Sequence, residues 1–556
     1  MRSFSPFWPT TLVAAALACT ANAATELDST KYLAAVRRFA DTVLEKGRDH
    51  YGTKHTPLFV DGLNVETFEP ARWQKGGQTW VMCNFASQQA LMRTLDGLTT
   101  LTKDARYRTA AEDAAREVLA HLRSRSGALN WGGHMAWDLE GERAVGEYED
   151  IHELKNHQAY VPLLWRVDPR ATREVLEATW AIHVLDWTLL DYNRHASMSK
   201  LRRPQWAHPF SEDVEVPYAS IANNLSFVNV TPPLLNAGVA LAVLGQDTNA
   251  LTWTRRLIYR WQQARDPKTG LSGGQLSYRK EDRAQEALGH VHPNINEAKF
   301  VATYHRANRY HDLPLAQLRA GETLVAAGGK RAAVGREFIA WAVSDLKSYF
   351  EQCYDAKSGQ FISMLTDGTP IKGQAARAGY YDESSFAPTR PDGDLLWATV
   401  MGYRLTKDAK LWAIARIYAQ QLKLGDIGEK PRSKRSLEIN PALADRRVLY
   451  GVLEMARVTK DKAFLRLAAG IGDNLLQWQK PNGLFPRPGR TFARTGDEIP
   501  LALLHLAAAL AGKDSQMPPG MLDHAYFHCE YDGKDIPQKP GIEDHRTYDI
   551  NVFYGE

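Results

Sequence analysis

The chain has 556 residues, 44% of them apolar and 24% charged, and its 68 basic and 64 acidic side chains leave a net charge of +4. That profile excludes disordered, collagen-like and low-complexity classes. The near-cancellation of charge excludes a polybasic nucleic-acid binder, while leaving room for a local basic groove that takes an acidic substrate. A length-based prior of about three to four domains competes with a closed helical barrel, which can use such a length as one unit.

At the N-terminus, Arg2 precedes an apolar run from Thr11 to Ala18, and Ala21-Asn22-Ala23 offers a small-x-small cleavage site. The pattern predicts a secretory signal peptide over 1–23 and a mature protein that is periplasmic or secreted. The run is too short for a membrane span of about 20 residues. A lipoprotein signal ending at Ala18-Cys19 is the competing reading, and Ala16 fits it poorly. No later segment reads as a membrane span. Once Cys19 is removed, Cys83, Cys353 and Cys529 remain, far apart and odd in number. A disulfide framework and a CxxC motif are therefore excluded. Three buried small side chains are expected, with one long-range bridge as the alternative.

Helical periodicity dominates from there on. Tyr32, Val36, Phe39, Val43 and Leu44 share a stripe, as do Leu91, Leu95 and Leu98. Similar patterns predict helices over 104–122, 170–190, 232–262, 294–309, 331–353, 394–424, 441–479 and 495–512. Many break at a short polar pair: Lys103-Asp104, Gln246-Asp247, Lys407-Asp408, Lys460-Asp461. Helix, polar turn, helix is the pattern of antiparallel hairpins. A glycine turn recurs after them, at Gly127, Gly270, Gly359 and Gly483, where positive φ is expected. Helix pairs followed by a glycine turn predict an all-α fold, an α/α toroid over 24–514. Short strands such as 275–278 and 360–365 predict β-hairpins at the barrel mouth and no separate β-domain. The segment 515–556 lacks helical period and reads as an irregular wrap.

The densest polar region runs from Asn130 to His195. A zincin motif fails there, because His152 and His157 are five apart, about 140° around a helix. Glu153 and His157, four apart, would share a helix face, as ligand and neighbour or as a solvated contact. His134 follows two glycines, which allow close backbone approach. A site of two histidines and one carboxylate suits Mn, Fe, Co, Ni or Zn better than calcium, which prefers oxygen shells.

Asn130-Trp131-Gly132-Gly133-His134, His152-Glu153-Leu154-Lys155-Asn156-His157 and Asp191-Tyr192-Asn193-Arg194-His195 resemble the pectate lyases of polysaccharide lyase family two. Thr269 to Gln275 and Glu281 to Gln285 are similar too, so the resemblance covers about residues 50 to 500. It implies an (α/α)7 barrel acting on polygalacturonate, with a transition-metal ion in place of calcium: manganese favoured, cobalt or nickel as alternatives. By motif, the implied metal ligands are His134, Glu153 and His195, and the implied Brønsted base is Arg194. The chemistry suits those types. A cation on the uronate carboxylate quenches its charge and stabilises the enolate-like charge left when the C5 proton departs. A guanidine is a strong base once neutral, and desolvation beside a cation favours that form. The alternative leaves Arg194 pairing with substrate while a lysine or hydroxide takes the proton.

Substrate contacts are expected from Lys155, Tyr278, Arg279, Lys280 and Arg283, with Trp131 and Trp206 as stacking platforms; Trp180, His183 and Trp187 read as packing. A monomer is expected. Two other readings are an (α/α)6 glycoside hydrolase with paired carboxylates such as Asp138, Glu149 or Asp394, and a silent sugar-binding barrel.

Overall fold

Two kinds of turn, repeated along the chain, set the architecture. In the first, a lysine or glutamine takes left-handed backbone and the next aspartate caps a new helix. Lys103, Gln246, Lys407 and Lys460 have φ of 66°, 53°, 62° and 57°. The carboxylates that follow accept from backbone N–H groups: Asp104 from Arg106, Asp247 from Asn249 and Ala250, Asp408 from Lys410, Asp461 from Ala463. The polar pairs of the sequence are thus a stop and a start in two residues. In the second kind, Gly127, Gly270, Gly359 and Gly483 all have positive φ (92°, 71°, 69° and 93°) and reverse the chain after a helix.

The structure, a computed structural model, describes residues 27–555 except 149, 155–157, 221–224, 280–282, 291, 294, 304–309, 311, 372–380, 382, 521–526 and 534–545. Residues 1–23, read as a signal peptide, lie outside the described residues.

Among the described residues, seven helices form an inner ring: Gln89–Thr102, Val161–Val167, Thr231–Val243, Asp312–Ala326, Gly393–Thr406, Arg446–Thr459 and Glu498–Leu510. Several are buried around most of their circumference, as a helix enclosed by others must be. Seven amphipathic helices lie outside: Thr30–Lys46, Ala105–His121, Pro169–His183, Thr248–Gln263, Gly329–Cys353, Ala409–Gln421 and Lys462–Leu476. The inner ring runs side by side from Gln89–Thr102 through Glu498–Leu510, Arg446–Thr459, Gly393–Thr406 and Asp312–Ala326 to Thr231–Val243. Beside the short helix Val161–Val167 it closes by hydrogen bonds. Arg93 donates to the Gln158 carbonyl (2.8 Å), Asn236 to the Ala159 carbonyl (3.2 Å), and the Tyr160 N–H to Gln89 Oε1 (2.7 Å). This is the all-α toroid expected.

The two mouths differ. Inner helices hand over to outer ones through the Lys-Asp type of turn, so one mouth carries little chain. Outer helices return to inner ones through long connections, and these build short strand pairs at the other mouth. Two expected helices differ from what forms. Among the described residues of 294–309 there are one turn, Glu297–Lys299, and a strand, Phe300–Val301, paired with Met364–Leu365; 294 and 304–309 lie outside the described residues. Ile295, Phe300 and Ala302 pack there with Tyr381 and Phe386, and the helix of this region is Asp312–Ala326. The helix from Pro169 stops at His183, where Val184–Asp186 pairs with Asp191–Tyr192.

The C-terminal segment is not irregular throughout. His528–Tyr531 and Arg546–Tyr548 join a six-stranded sheet, in the order Arg546–Tyr548, His528–Tyr531, Arg72–Lys75, Gln78–Cys83, Met135–Asp138, Arg143–Gly146. Trp73, Trp80, Met82, Ala136, Phe527, Cys529 and Phe553 pack together on it. The sequence reading anticipated mouth hairpins and not a sheet of this size. Its strands come from three distant stretches, and no one stretch carries a strong β pattern. Cys83, Cys353 and Cys529 are buried free thiols. No described helix is long and apolar enough to cross a membrane.

Candidate active site

Strands Ile151–Glu153 and His195–Ser197 pair antiparallel, with Glu153 opposite His195. The Leu154 N–H donates to the Arg194 carbonyl at 2.8 Å and extends the ladder. Side chains alternate along a strand, so Glu153 faces the mouth while His152 points beneath. There His152 Nδ1 meets His183 Nε2 (2.7 Å), and His183 Nδ1 meets the Asn193 carbonyl (2.6 Å). Only an N–H can face that carbonyl, so His183 carries its proton on Nδ1 and accepts from His152. Burial pushes the His183 pKa down to about 4, keeping the ring neutral. Residues 151–153 are strand, which removes the helix-face pairing of Glu153 with His157; His157 lies outside the described residues.

His134 enters from the third side, just before the strand Met135–Asp138. The Gly133 N–H donates to the Glu153 carbonyl at 3.2 Å. A Cβ at Gly133 would collide with the Glu153 carboxylate. The glycine is therefore needed for the approach of one site residue to another.

His134 Nε2 lies 3.0 Å from Glu153 Oε2 and 3.2 Å from His195 Nε2, and His195 Nε2 lies 3.3 Å from Glu153 Oε1. Two atoms each about 2.1 Å from one ion, at angles of about 90–110°, stand about 3.0–3.4 Å apart. Each imidazole meets a different oxygen of Glu153 within that range, and the two rings meet each other within it, so the pair of imidazoles and the carboxylate suit one small divalent ion. Two imidazole nitrogens and a carboxylate oxygen form a donor set for transition metals. Glu153 and His134 are buried and His195 half-buried, leaving one side open. Arg194, also half-buried, brings Nε to 3.5 Å from Glu153 Oε1, and its guanidinium lies 5.5 Å from the Phe227 ring centre.

Two residues at the site were given no role from sequence. Glu147 Oε2 lies 2.8 Å from His134 Nδ1 and 2.8 Å from His528 Nδ1. Burial pushes its carboxyl up, but the hydrogen bonds to His134 and His528 outweigh this and hold it well below the usual range. Glu147 fell inside the polar stretch noted in the sequence. His528, 381 residues further on, gave no signal at all.

Of the expected substrate contacts, Lys155 and Lys280 lie outside the described residues, and Arg283 opens the helix Arg283–Leu288. Tyr278 is half-buried on a strand parallel to Tyr218–Ala219. Ser226 ties that strand to the segment before Arg194: its N–H donates to Ser277 Oγ (3.0 Å) and its hydroxyl to Asp191 Oδ1 (2.7 Å). Arg279 Nε stands 4.0 Å from Glu297. Trp131 is buried with its ring against Phe85, which leaves no face for a sugar, and Trp206 is half-buried and packs edge-on against Trp180 and Trp187. The paired-carboxylate reading gains nothing. Asp138 accepts from the Val81 and Glu140 N–H groups, Asp394 pairs with Arg447 at 3.4 Å, and Glu149 lies outside the described residues.

A family model described as "Periplasmic pectate lyase" matches residues 56–530. The curated pectate disaccharide-lyase of Dickeya dadantii (strain 3937) is 26% identical, over 95% of this chain and 96% of its own. A crystal structure of D-mannose isomerase overlaps 71% of this chain and 87% of its own with a TM-score of 0.41 at 13% identity. A family 76 glycoside hydrolase from a bovine Bacteroides thetaiotaomicron strain does so over 87% of this chain and 79% of its own, with a TM-score of 0.41 at 9% identity. By class the protein is a polysaccharide lyase built on a helical toroid. More narrowly, the chain belongs to the periplasmic pectate lyase family.

Proposed function

We propose that the protein cleaves polygalacturonate by β-elimination in the periplasm, with a divalent ion, manganese first among candidates, held by His134, Glu153 and His195. The observation that carries the reading is the convergence of those three ligand atoms beside Arg194. Family membership and the relative's activity on pectate support the substrate class.

When bound there, the ion supplies neutralisation of the uronate carboxylate and stabilises the negative charge that develops next to it. The side chains do the rest. His134 and Glu153 form the buried wall of the site, and half-buried His195 borders its open side. Arg194, fixed through its backbone to Leu154, stands at the edge of the same cluster and takes the C5 proton. As that proton leaves, the electron pair forms the C4–C5 double bond and the C4–O4 bond breaks. The departing oxygen takes a proton from solvent, and the product is a 4,5-unsaturated oligogalacturonide. The Phe227 ring shields one side of the guanidinium from water.

The test is purified protein with polygalacturonate and Mn²⁺, followed by the ultraviolet absorbance of the unsaturated product. Chelator should abolish the signal, and Arg194→Ala should lower the rate about 10²–10⁴-fold. Full activity in Arg194→Ala would remove the assigned base. Reducing ends released without ultraviolet absorbance would replace lyase by hydrolase.

A further inference from the structure

Three residues outside the ligand set lie against His134, Glu147 and Tyr148 from one part of the chain and His528 from a distant one. The Glu147 N–H donates to the His134 carbonyl at 3.1 Å, across the start of the hairpin that pairs Met135 with Gly146. A Cβ at Gly146 would collide with that same carbonyl, so the hairpin brings Glu147 against His134 as closely as a backbone permits. The C-terminal strand then closes on both. The His528 N–H donates to the Gly133 carbonyl at 2.8 Å. Its ring stacks on Tyr548 of the neighbouring strand, with centres 4.6 Å apart and planes at 30°. Tyr148 sets its ring edge-on to His134 at 4.9 Å.

His134 belongs to two groups of convergent ligand atoms, with Glu153 and His195 on one side and with Glu147 and His528 on the other. One imidazole cannot give a lone pair to an ion from both nitrogens unless it loses its N–H proton. The distances separate the two roles. His134 Nδ1 and His528 Nδ1 each stand 2.8 Å from the same oxygen, Glu147 Oε2, which is the length of a charge-assisted N–H···O bond. That leaves His134 Nδ1 carrying the proton and Nε2 carrying the lone pair, aimed at Glu153 and His195.

We propose that Glu147 and His528 are positioning residues: Glu147 fixes the tautomer and orientation of His134, and the C-terminal strand, through His528, fixes Glu147. This rests on the reading that His134, Glu153 and His195 hold a divalent ion. A carboxylate on the far nitrogen of a metal-bound histidine raises its basicity and locks its ring. The C-terminal strand His528–Tyr531 therefore belongs to the support of the site.

The experiment is Mn²⁺ affinity measured by calorimetry on the full chain after removal of metal, for wild type, Glu147→Ala, Glu147→Gln, His528→Ala and Glu153→Ala. Glu147→Ala should weaken binding about 10–100-fold. Glu147→Gln should recover part of that loss, because an amide oxygen still accepts from Nδ1–H, and His528→Ala should lose less than Glu147→Ala. Saturating Mn²⁺ should restore turnover in Glu147→Gln, which a merely structural lesion would not allow. If Glu147→Ala does not fold, Glu147→Gln carries the comparison. Wild-type affinity in both Glu147 variants would overturn the proposal alone. Binding lost in Glu147→Ala and kept in Glu153→Ala would also overturn it, by placing the ion between His134, Glu147 and His528. A wild-type chain that binds no ion would remove the proposed function and this inference together.

Discussion

His183 sits under the site as a neutral ring held by two hydrogen bonds, and its state has a measurable cost. Its folded pKa, near 4, is below the value of about 6.5 expected unfolded. Between those values the unfolded chain binds a proton that the folded chain refuses. Stability from this group is therefore complete above about pH 6.5 and declines as pH falls toward 4. The loss between pH 7 and pH 5 should be about 2 kcal/mol. His183→Asn should be less stable at neutral pH, having a shorter reach to His152, but should lack that part of the pH dependence. Denaturant unfolding at the two pH values decides it: an identical slope in both proteins would mean that His183 does not titrate in this window.

The repeated two-residue turn acts at the level of the element. Each aspartate satisfies N–H groups that a helix start leaves without intrahelical partners, and each preceding residue in left-handed backbone ends the helix before it. Asp461 illustrates the point, accepting from the Ala463 N–H at 2.8 Å and pairing with Arg435 at 2.9 Å. Asp461→Ala should cost about 1 kcal/mol in urea unfolding, and Asp461→Asn, which keeps the cap, should cost clearly less. Equal losses would assign the effect to the Arg435 pair instead. Economy at this mouth is what frees the long connections at the other to carry the strands, and it is on those strands that Glu153, His195 and His134 meet.

For the whole molecule, the question is what holds the C-terminal segment to the barrel. Arg494, at the end of the strand Phe492–Arg494, is buried and forms an ion pair with Asp549, which is also buried. Asp549 further accepts from the Phe527 N–H at 2.8 Å, and Asp61 lies 3.9 Å from Arg494. Removing Asp549 takes the closer carboxylate away from this buried guanidinium and leaves Asp61 at 3.9 Å. Asp549→Ala should therefore cost about 3–5 kcal/mol and release the tail. Limited proteolysis should then cut between 521 and 545 while far-ultraviolet circular dichroism keeps its helical signal. Uncut protein would show that the sheet alone retains the segment.

The sequence alone determined whatever depends on neighbours along the chain. Stripes at helical spacing, Lys-Asp breaks and glycine turns are local signals, and they specified the helix pairs and so the toroid. Glu153 and Arg194-His195 stood out through two short motifs that carry the family resemblance, and the structure pairs their strands across the two helices, Val161–Val167 and Pro169–His183, that separate them. The tertiary structure decided what depends on closing long loops. The described part of the helix expected over 294–309 is instead a turn and a strand, where Ile295, Phe300 and Ala302 are buried against Tyr381 and Phe386. Trp131 is buried against Phe85 because ring packing, not residue type, sets what is exposed. Above all, nothing near His528 announces that it will lie against Glu147. That contact exists only because a sheet assembled from both ends of the chain brings them together, and short-range propensity carries no record of such a pairing.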